Sequence, residues 1–387
     1  MVNDTMLNIT ESIGVVKPQS LVSALDPFLL TFLFIIVLVV VVLVFVFRKV
    51  APISHFLYAD ARVHARTKFM VSDSLLQELT EAKSLNEFRS LLRETSYAEK
   101  LESADENLKS FHLALEQSLV ESLLELLELS PKKAKPLLGA YLMFFESKIL
   151  KLFYRARFVG AGVDSDIVFP IGNINNILLK HLLETKTIKD IAIVMDGTIY
   201  SQVFKKEYKS LEEFEVTLEQ FVFNNFVETI RKTRMYDGIF IIDIMNKKID
   251  IANILALLRF RIRNIEKERQ KSLLVYNNSE LCLKFNELIG SKDIKEFVNR
   301  LKGLPYYDSM VRAYEKYEKD KNLVNFETEL FRYFKSFIIE NELGHTLGPY
   351  PLFSYLIKKE LELRNLFVIS RGIDAKFDAE KIRELIV

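Results

Sequence analysis

The side chains that could do chemistry are few in kind and scattered in place. The chain of 387 residues holds five histidines, His55, His64, His112, His181 and His345, and one cysteine, Cys282. None falls in a His-Glu-x-x-His pair, which would set two imidazoles on one helix face for zinc, and none adjoins an aspartate. There is no Gly-x4-Gly-Lys-Ser/Thr loop to cradle phosphates and no Gly-x-Ser-x-Gly elbow to expose a nucleophile. Gly160-Ala-Gly162 lacks the third glycine of a dinucleotide loop, since position 165 is Ser, and it follows a helical pattern, so it reads as a helix end. Cys282, between Leu281 and Leu283, reads as a small buried apolar residue; a single cysteine excludes an internal disulfide and suits a reducing compartment. Paired acids such as Glu212-Glu213, or Glu125 with Glu128, read as solvated helix faces. Arg231-Lys232 with Arg234, and Arg259-Phe-Arg-Ile-Arg263, are denser basic clusters. Alternation spreads the second around a helix, so both read as helix-end charges favoured by the macrodipole, with an acidic partner or lipid headgroups as the second reading. The expectation is therefore no catalytic, cofactor-binding or metal site and no small-molecule substrate.

The elements behind these residues are helices. Lys and Arg number 53 against 52 Asp and Glu, which argues against nucleic acid as a partner. With 49% hydrophobic residues and only 12 Gly and 9 Pro, the chain is rich enough in apolar side chains and poor enough in breakers to be all-α. Phe28–Phe47 is apolar apart from Thr31. At about 1.5 Å per residue such a run spans about 30 Å, the thickness of a bilayer core. A cleaved signal peptide fits poorly, because the run is too long and the segment before it is acidic. Arg48 and Lys49 follow the run, while Asp4, Glu11 and Asp26 outnumber Lys17 before it. The positive-inside rule then predicts a single-pass protein of the cell membrane, with an extracytoplasmic segment 1–27, a transmembrane helix 28–47 in contact with lipid, and the rest cytoplasmic. Asn3 and Asn8 match glycosylation sequons on the outer side.

Beyond Pro52 the pattern is one of amphipathic helices. Leu115, Leu119, Leu123, Leu126 and Leu127 fall at helical spacing between acids, Ser130-Pro131 reads as a cap followed by a first-turn proline, and Tyr141–Phe158 reads as the next helix. Asp164–Gly172 reads as a linker, and Gly238-Ile-Phe-Ile-Ile242 as helix by context.

Two landmarks repeat. Ser84–Tyr97, Thr187–Tyr200 and Asp293–Tyr306 align without gaps; each opens on a capping residue, carries an acid three residues on (Glu87, Asp190, Glu296) and ends in tyrosine. Asp190, being shorter than Glu, predicts a weaker capping box in the second copy. Phe88, Ile191 and Phe297, then Leu92, Met195 and Leu301, share one helix face. Further along, Glu146, Asp250 and Glu362 each precede an arginine by nine residues: Arg155, Arg259, Arg371. Asn253 and Asn365 stand three residues after the second and third acids, where the first copy has Ile149. Start landmarks recur after 103 and 106 residues and end landmarks after 104 and 112, too long for an ordinary solenoid unit. The expected organisation is three helical repeats, 54–163, 164–270 and 271–387.

These residues resemble a known family, the C subunit of archaeal and related bacterial A/V-type ATPases, which is the d subunit of eukaryotic vacuolar ATPases. The similarity is carried by Tyr58-Ala-Asp-Ala-Arg-Val-His-Ala-Arg66, by Ala82-Lys-Ser-Leu-Asn-Glu-Phe88 through Thr95-Ser-Tyr97, and by Tyr355-Leu-Ile-Lys-Lys-Glu-Leu-Glu-Leu-Arg-Asn-Leu366 with Arg371 and Glu380-Lys-Ile-Arg-Glu-Leu385. It extends from about Ser54 to Val387. The resemblance implies a funnel of three pseudo-equivalent helical domains that sits on the membrane c-ring, receives the central stalk and passes torque, a non-catalytic part of a proton- or sodium-translocating rotary ATPase. The departures are the apolar helix, which the family normally lacks, Ile149 in place of Asn, and an unusually apolar Ile188–Tyr208. The competing reading is a membrane-anchored helical scaffold or adaptor unrelated to rotary ATPases.

Overall fold

The computed structural model describes residues 27–54, 56–105 and 107–387. The expectations for segment 1–27 up to Asp26, its sequons and His55 lie outside them. The chain divides into two compact units, Met1–Ser54 and His55–Val387. Among the described residues the structure is all-α, with no strand and one isolated bridge, Ile171–Ile174.

Helix α1 (Pro27–Ser54) contains the expected apolar run and continues seven residues past it. Within Phe28–Phe47 the Leu, Ile, Val and Phe side chains are all exposed, and the helix is a candidate membrane span. The lone polar side chain within the run is satisfied internally, Thr31 Oγ1 donating to Pro27 O at 2.8 Å.

The second unit opens with α2 (Leu57–Thr67), after which one order of helices is written three times. The first copy has three short helices, α3 (Asp73–Glu81), α4 (Leu85–Leu91) and α5 (Ala98–Glu102), then two long ones, α6 (Leu108–Leu129) and α7 (Lys135–Phe158). The second has α8 (Asn176–Glu184), α9 (Ile188–Val194) and α10 (Ser201–Phe204), then α11 (Leu211–Thr233) and α12 (Gly238–Ile262). The third inserts α13 (Lys267–Ser272) and α14 (Glu280–Leu283) before α15 (Phe285–Gly290), α16 (Ile294–Arg300), α17 (Tyr307–Asp320), α18 (Val324–Glu342) and α19 (Pro349–Asp374); α20 (Ala379–Leu385) follows. The segment opening at Gly238 is helix, as its context predicts. Ser130-Pro131 does not start a helix: Ser130 ends α6, Pro131–Ala134 is a turn closed by Ala134 N to Pro131 O at 2.8 Å, and Pro136 supplies the first-turn proline of α7.

The start landmarks cap as read, with one reversal. Ser84, Thr187 and Asp293 each accept from the amide three residues on. The full reciprocal box forms in the second copy, where the short Asp190 accepts from both Thr187 N at 2.8 Å and Lys186 N at 2.9 Å, whereas the longer Glu87 and Glu296 accept from Lys83 N and Lys292 N, one residue before the cap.

The six long helices close a cycle. Within each copy the pair packs together, and between copies α7 packs on α11, α12 on α18, and α19 back on α6. Around the middle of that cycle stand Phe144, Lys248 and Glu360, each two residues before a landmark acid. Lys248 pairs with Glu360, and its ammonium lies 6.0 Å from the Phe144 ring and 5.4 Å from that of Tyr141. Tyr141 also packs edge-on to Phe353 at 5.2 Å and against Phe226 at 6.4 Å, so α7, α11 and α19 share one aromatic cluster.

Candidate functional site

The three landmark acids are buried on the last long helix of each copy, and each faces the landmark tyrosine of the next copy in the cycle. Glu146 on α7 accepts from Tyr200 Oη at 2.6 Å, from Asn173 N at 2.9 Å and from Asn173 Nδ2 at 3.1 Å. Asp250 on α12 accepts from Tyr306 Oη at 2.9 Å, Ser279 Oγ at 2.7 Å and Asn277 Nδ2 at 2.9 Å. Burial pushes both carboxyls above the usual carboxylate range, and these hydrogen bonds pull them back; burial and the facing carboxylate push Tyr200 and Tyr306 far above an ordinary phenol. The backbone makes room at the first junction through Gly172, whose φ is +53° and whose position would bring a Cβ to 2.0 Å from Glu146 Oε1.

Glu362 on α19 closes the cycle onto the first copy. It accepts from Val71 N at 2.8 Å and from Lys359 Nζ at 2.6 Å, with both charged side chains almost fully buried. Lys359 also donates to Ser96 Oγ at 2.7 Å and stands 4.3 Å from the Tyr97 ring centroid. Tyr97 Oη makes no hydrogen bond of normal geometry, although burial and the Glu362 charge push its pKa well up. The third junction thus replaces a hydroxyl clasp by a buried ion pair with a cation–π contact.

The nearby asparagines explain themselves the same way. Asn253 donates to Val275 O at 2.7 Å and accepts from Val275 N at 3.0 Å; Asn365 does the same for Val387 at 2.6 and 2.9 Å. Those valines lie 25 residues after Asp250 and Glu362, and Ile171 lies 25 after Glu146. Ile171 exchanges both backbone bonds with Ile174, at 2.9 and 2.8 Å. Its amide and carbonyl need no side-chain partner, so the first copy keeps an apolar Ile149, which lines one cleft with Phe169 and Ile171.

The landmark arginines lie on outer faces of the same junctions. Arg155 forms a fork with Glu215 of α11, and Arg259 donates to Glu327 of α18 at 3.3 Å. Arg371 faces His112 of α6 instead of an acid. The His112 ring packs 4.4 Å from Phe367 and Nε2 lies 2.9 Å from Ser370 Oγ; burial, aided by Arg371, lowers its pKa to about 4.

The remaining sequence candidates do not gather. His64 and His181 are exposed, on α2 and α8, and among the described residues no three His, Cys, Asp or Glu side chains group as metal ligands. Cys282 is half-buried and donates to Asn277 Oδ1 at 3.0 Å. Arg261 reaches Ser291 Oγ at 2.7 Å while Arg259 turns to Glu327, so that cluster does diverge around α12. His345 meets Asp237 at 3.1 Å across two loops distant in sequence, a pair that no local motif announces. The landmark carboxylates have their oxygens occupied by donors and are placed to hold elements together.

Residues 59–385 match the family model described as ATP synthase (C/AC39) subunit, which leaves α1 outside the match. The chain is 28% identical over 361 residues to the C subunit of the A-type ATP synthase of Methanocaldococcus jannaschii, covering 88% of each chain. It is 25% identical over 335 residues to that of Pyrococcus abyssi, covering 86% of this chain and 90% of the relative, and 24% identical over 342 residues to that of Methanococcoides burtonii, covering 86% and 94%. With a cyclic all-helical body and a match over most of its length, the chain belongs to the ATP synthase C/AC39 subunit family.

Proposed function

We propose that the protein is a non-catalytic central-stalk subunit of an A-type rotary ATPase, coupling the stalk to the membrane c-ring so that ATP turnover stays linked to proton or sodium transport. The observation that carries the reading is the closed cycle of clasps, Glu146 to Tyr200, Asp250 to Tyr306 and Glu362 towards Tyr97. A cycle without a free end resists twisting better than an open stack, because relative sliding of two copies must break buried polar bonds as well as packing. In this reading 54–163, 164–270 and 271–387 are three copies sharing one core, offering similar faces about 120° apart as the cyclic order requires.

Helix α1 serves as a single-pass anchor, with its N-terminus outside and the body on the cytoplasmic side. Phe28–Phe47 lacks small-xxx-small pairs, which suits lipid contact better than tight helix packing, and the lipid-filled centre of the ring would accommodate it.

The test is purification of the native assembly in mild detergent through a tag on this chain, with partners identified by mass. Catalytic, stalk and ring subunits are expected in fixed ratio. Recovery of the chain without them would leave the unrelated membrane scaffold as the better reading.

A further inference from the structure

The third junction lacks what the other two have, a chain running through it. After Ile171 and Val275 the chain passes into the next copy, and two residues later Asn173 and Asn277 bond the landmark acids. At the third junction Val71 N takes the place of Asn173 N on the acid. Val71 and Val387 border one cleft of about 450 Å³, with no peptide link between them. Leu76, Ile339 and Leu361 line the same cleft, so packing across this part of the junction is incomplete.

Helix α20 and the residues after it cross this gap. Arg383 reaches Glu81 Oε1 at 2.5 Å and Thr80 Oγ1 at 3.2 Å, which ties α20 to α3 of the first copy. On the third copy, four successive carbonyls are held by side chains of α18 and α19. Arg332 donates to Glu384 O at 2.9 Å and Ile386 O at 3.0 Å, Arg364 to Leu385 O at 3.4 Å, and Asn365 to Val387 O at 2.6 Å. Ile382, the buried residue of α20, sits on Gly372, where a Cβ would stand 2.6 Å from its side chain. The Arg383–Glu81 pair is exposed and adds little. One apolar anchor with many polar contacts is the makeup of a segment that opens locally. A hinge adjoins it. Helix α19 ends in a turn that satisfies itself, with Lys376 N on Ile373 O at 3.0 Å, Phe377 N on Gly372 O at 2.8 Å and Lys376 at φ +57°. Asp378 then caps α20 afresh, accepting from Lys381 N at 2.7 Å, so α20 can leave without unwinding α19. Helix α3 packs on α20, on α4 of its own copy and on α19.

We propose that α20 with residues 384–387 is a latch across the third junction. It swings as a unit about the turn 375–378, well below global unfolding, and α3 comes free with it, which uncovers the cleft. The two junctions through which the chain runs have no such opening. The latch goes beyond the rotor reading and stands without it.

Hydrogen exchange of the full chain in detergent, read by mass spectrometry of its peptides, tests this. In the parent chain the amides of 379–387 and of α3 should exchange together and ahead of α8, the nine-residue counterpart of α3 in the second copy. Gly372→Leu fills the seat of Ile382 from the α19 side, and Ile382→Asp removes the anchor from the α20 side. Each should speed exchange in both segments about tenfold and leave α8 unchanged. If 379–387 is freed while α3 keeps its parental protection, the segment frays alone and the latch is overturned. A rise in α8 equal to that in α3 overturns it too, because these contacts would then hold the whole body. Should neither variant fold, the parent chain decides: α3 exchanging no sooner than α8 overturns the latch.

Discussion

At Glu146 and Asp250 the buried carboxylate is surrounded by neutral donors, a tyrosine hydroxyl and asparagine or serine groups. At Glu362 a lysine occupies that space, and the facing tyrosine contributes its ring rather than its hydroxyl. The first two junctions join copies that follow one another along the chain; the third joins residues nearly 300 positions apart, Val71 to Glu362 being separated by 291. A junction whose partners are not tethered nearby pays more loop-closure entropy. A charged pair of defined geometry at that point also discriminates the correct partner, since a buried lysine and glutamate tolerate no mismatched register.

The largest expected effect breaks that contrast at the seam. Lys359→Met removes the cation that pairs with Glu362 and leaves a buried carboxylate uncompensated, which costs about 3–5 kcal/mol. Adding Glu362→Leu should recover part of it, limited by the Val71 amide that then loses its acceptor. Chemical denaturation of the full chain in detergent, followed by circular dichroism, reads both. A loss no larger than that of an exposed lysine substitution would show that the seam is not held by this pair.

The covalent junctions should answer to different changes. Gly172→Ala forces a side chain onto Glu146 from a left-handed backbone and should cost about 2–3 kcal/mol. The corresponding register position in the next copy is Tyr276, so no equivalent change exists there. Tyr200→Phe and Tyr306→Phe each remove a hydrogen bond to a buried carboxylate and should cost about 1.5–3 kcal/mol. Tyr97→Phe keeps the ring under Lys359 and discards a hydroxyl without a partner, so its cost should stay within about 0.5 kcal/mol. Equal losses at all three tyrosines would erase the distinction between seam and tethered junctions.

How far the sequence discloses these clasps follows from what repeats in it. The acids, tyrosines and capping residues recur at fixed spacing, and each landmark proves to be a buried or capping group. Spacing along one copy cannot say that an acid meets the tyrosine of the next, because that pairing is set by how long helices pack, 54 and 56 residues downstream in two cases. A third register landmark takes its meaning only from the structure: Ile171, Val275 and Val387, each 25 residues after an acid, explain why two copies carry Asn and one carries Ile149. Lys359 is invisible for another reason. Lys358 beside it looks the same in the sequence, yet it is only half-buried and pairs with Glu342 while Lys359 is buried, a difference of about 100° around α19. The capping box completed by Asp190 shows the same limit, since one methylene decides whether the cap amide is reached as well as the one before it.

The smallest effect concerns pH and opposes two groups on either side of the seam. His112, lowered to about 4, binds its proton less well folded than unfolded, where its value is 6.5. Between those values the unfolded chain holds more protons, so this group's contribution to stability is complete above pH 6.5 and is lost as pH falls towards 4. Asp60, raised by burial from 3.8 to about 6, does the reverse: the folded chain holds more protons between those values, so its contribution falls as pH rises from about 4 to 6. Glu146 and Asp250, also raised, add to the direction of Asp60. The two variants are therefore read as changes in slope against the wild-type profile from pH 4 to 6.5. His112→Gln, which can keep a bond to Ser370, should make stability fall more steeply with rising pH, and Asp60→Asn should make it rise. Each change is about 1 kcal/mol after allowance for partial exposure, or about 2 °C across the window. Parallel pH profiles for the two variants would mean that neither group carries the linkage assigned to it.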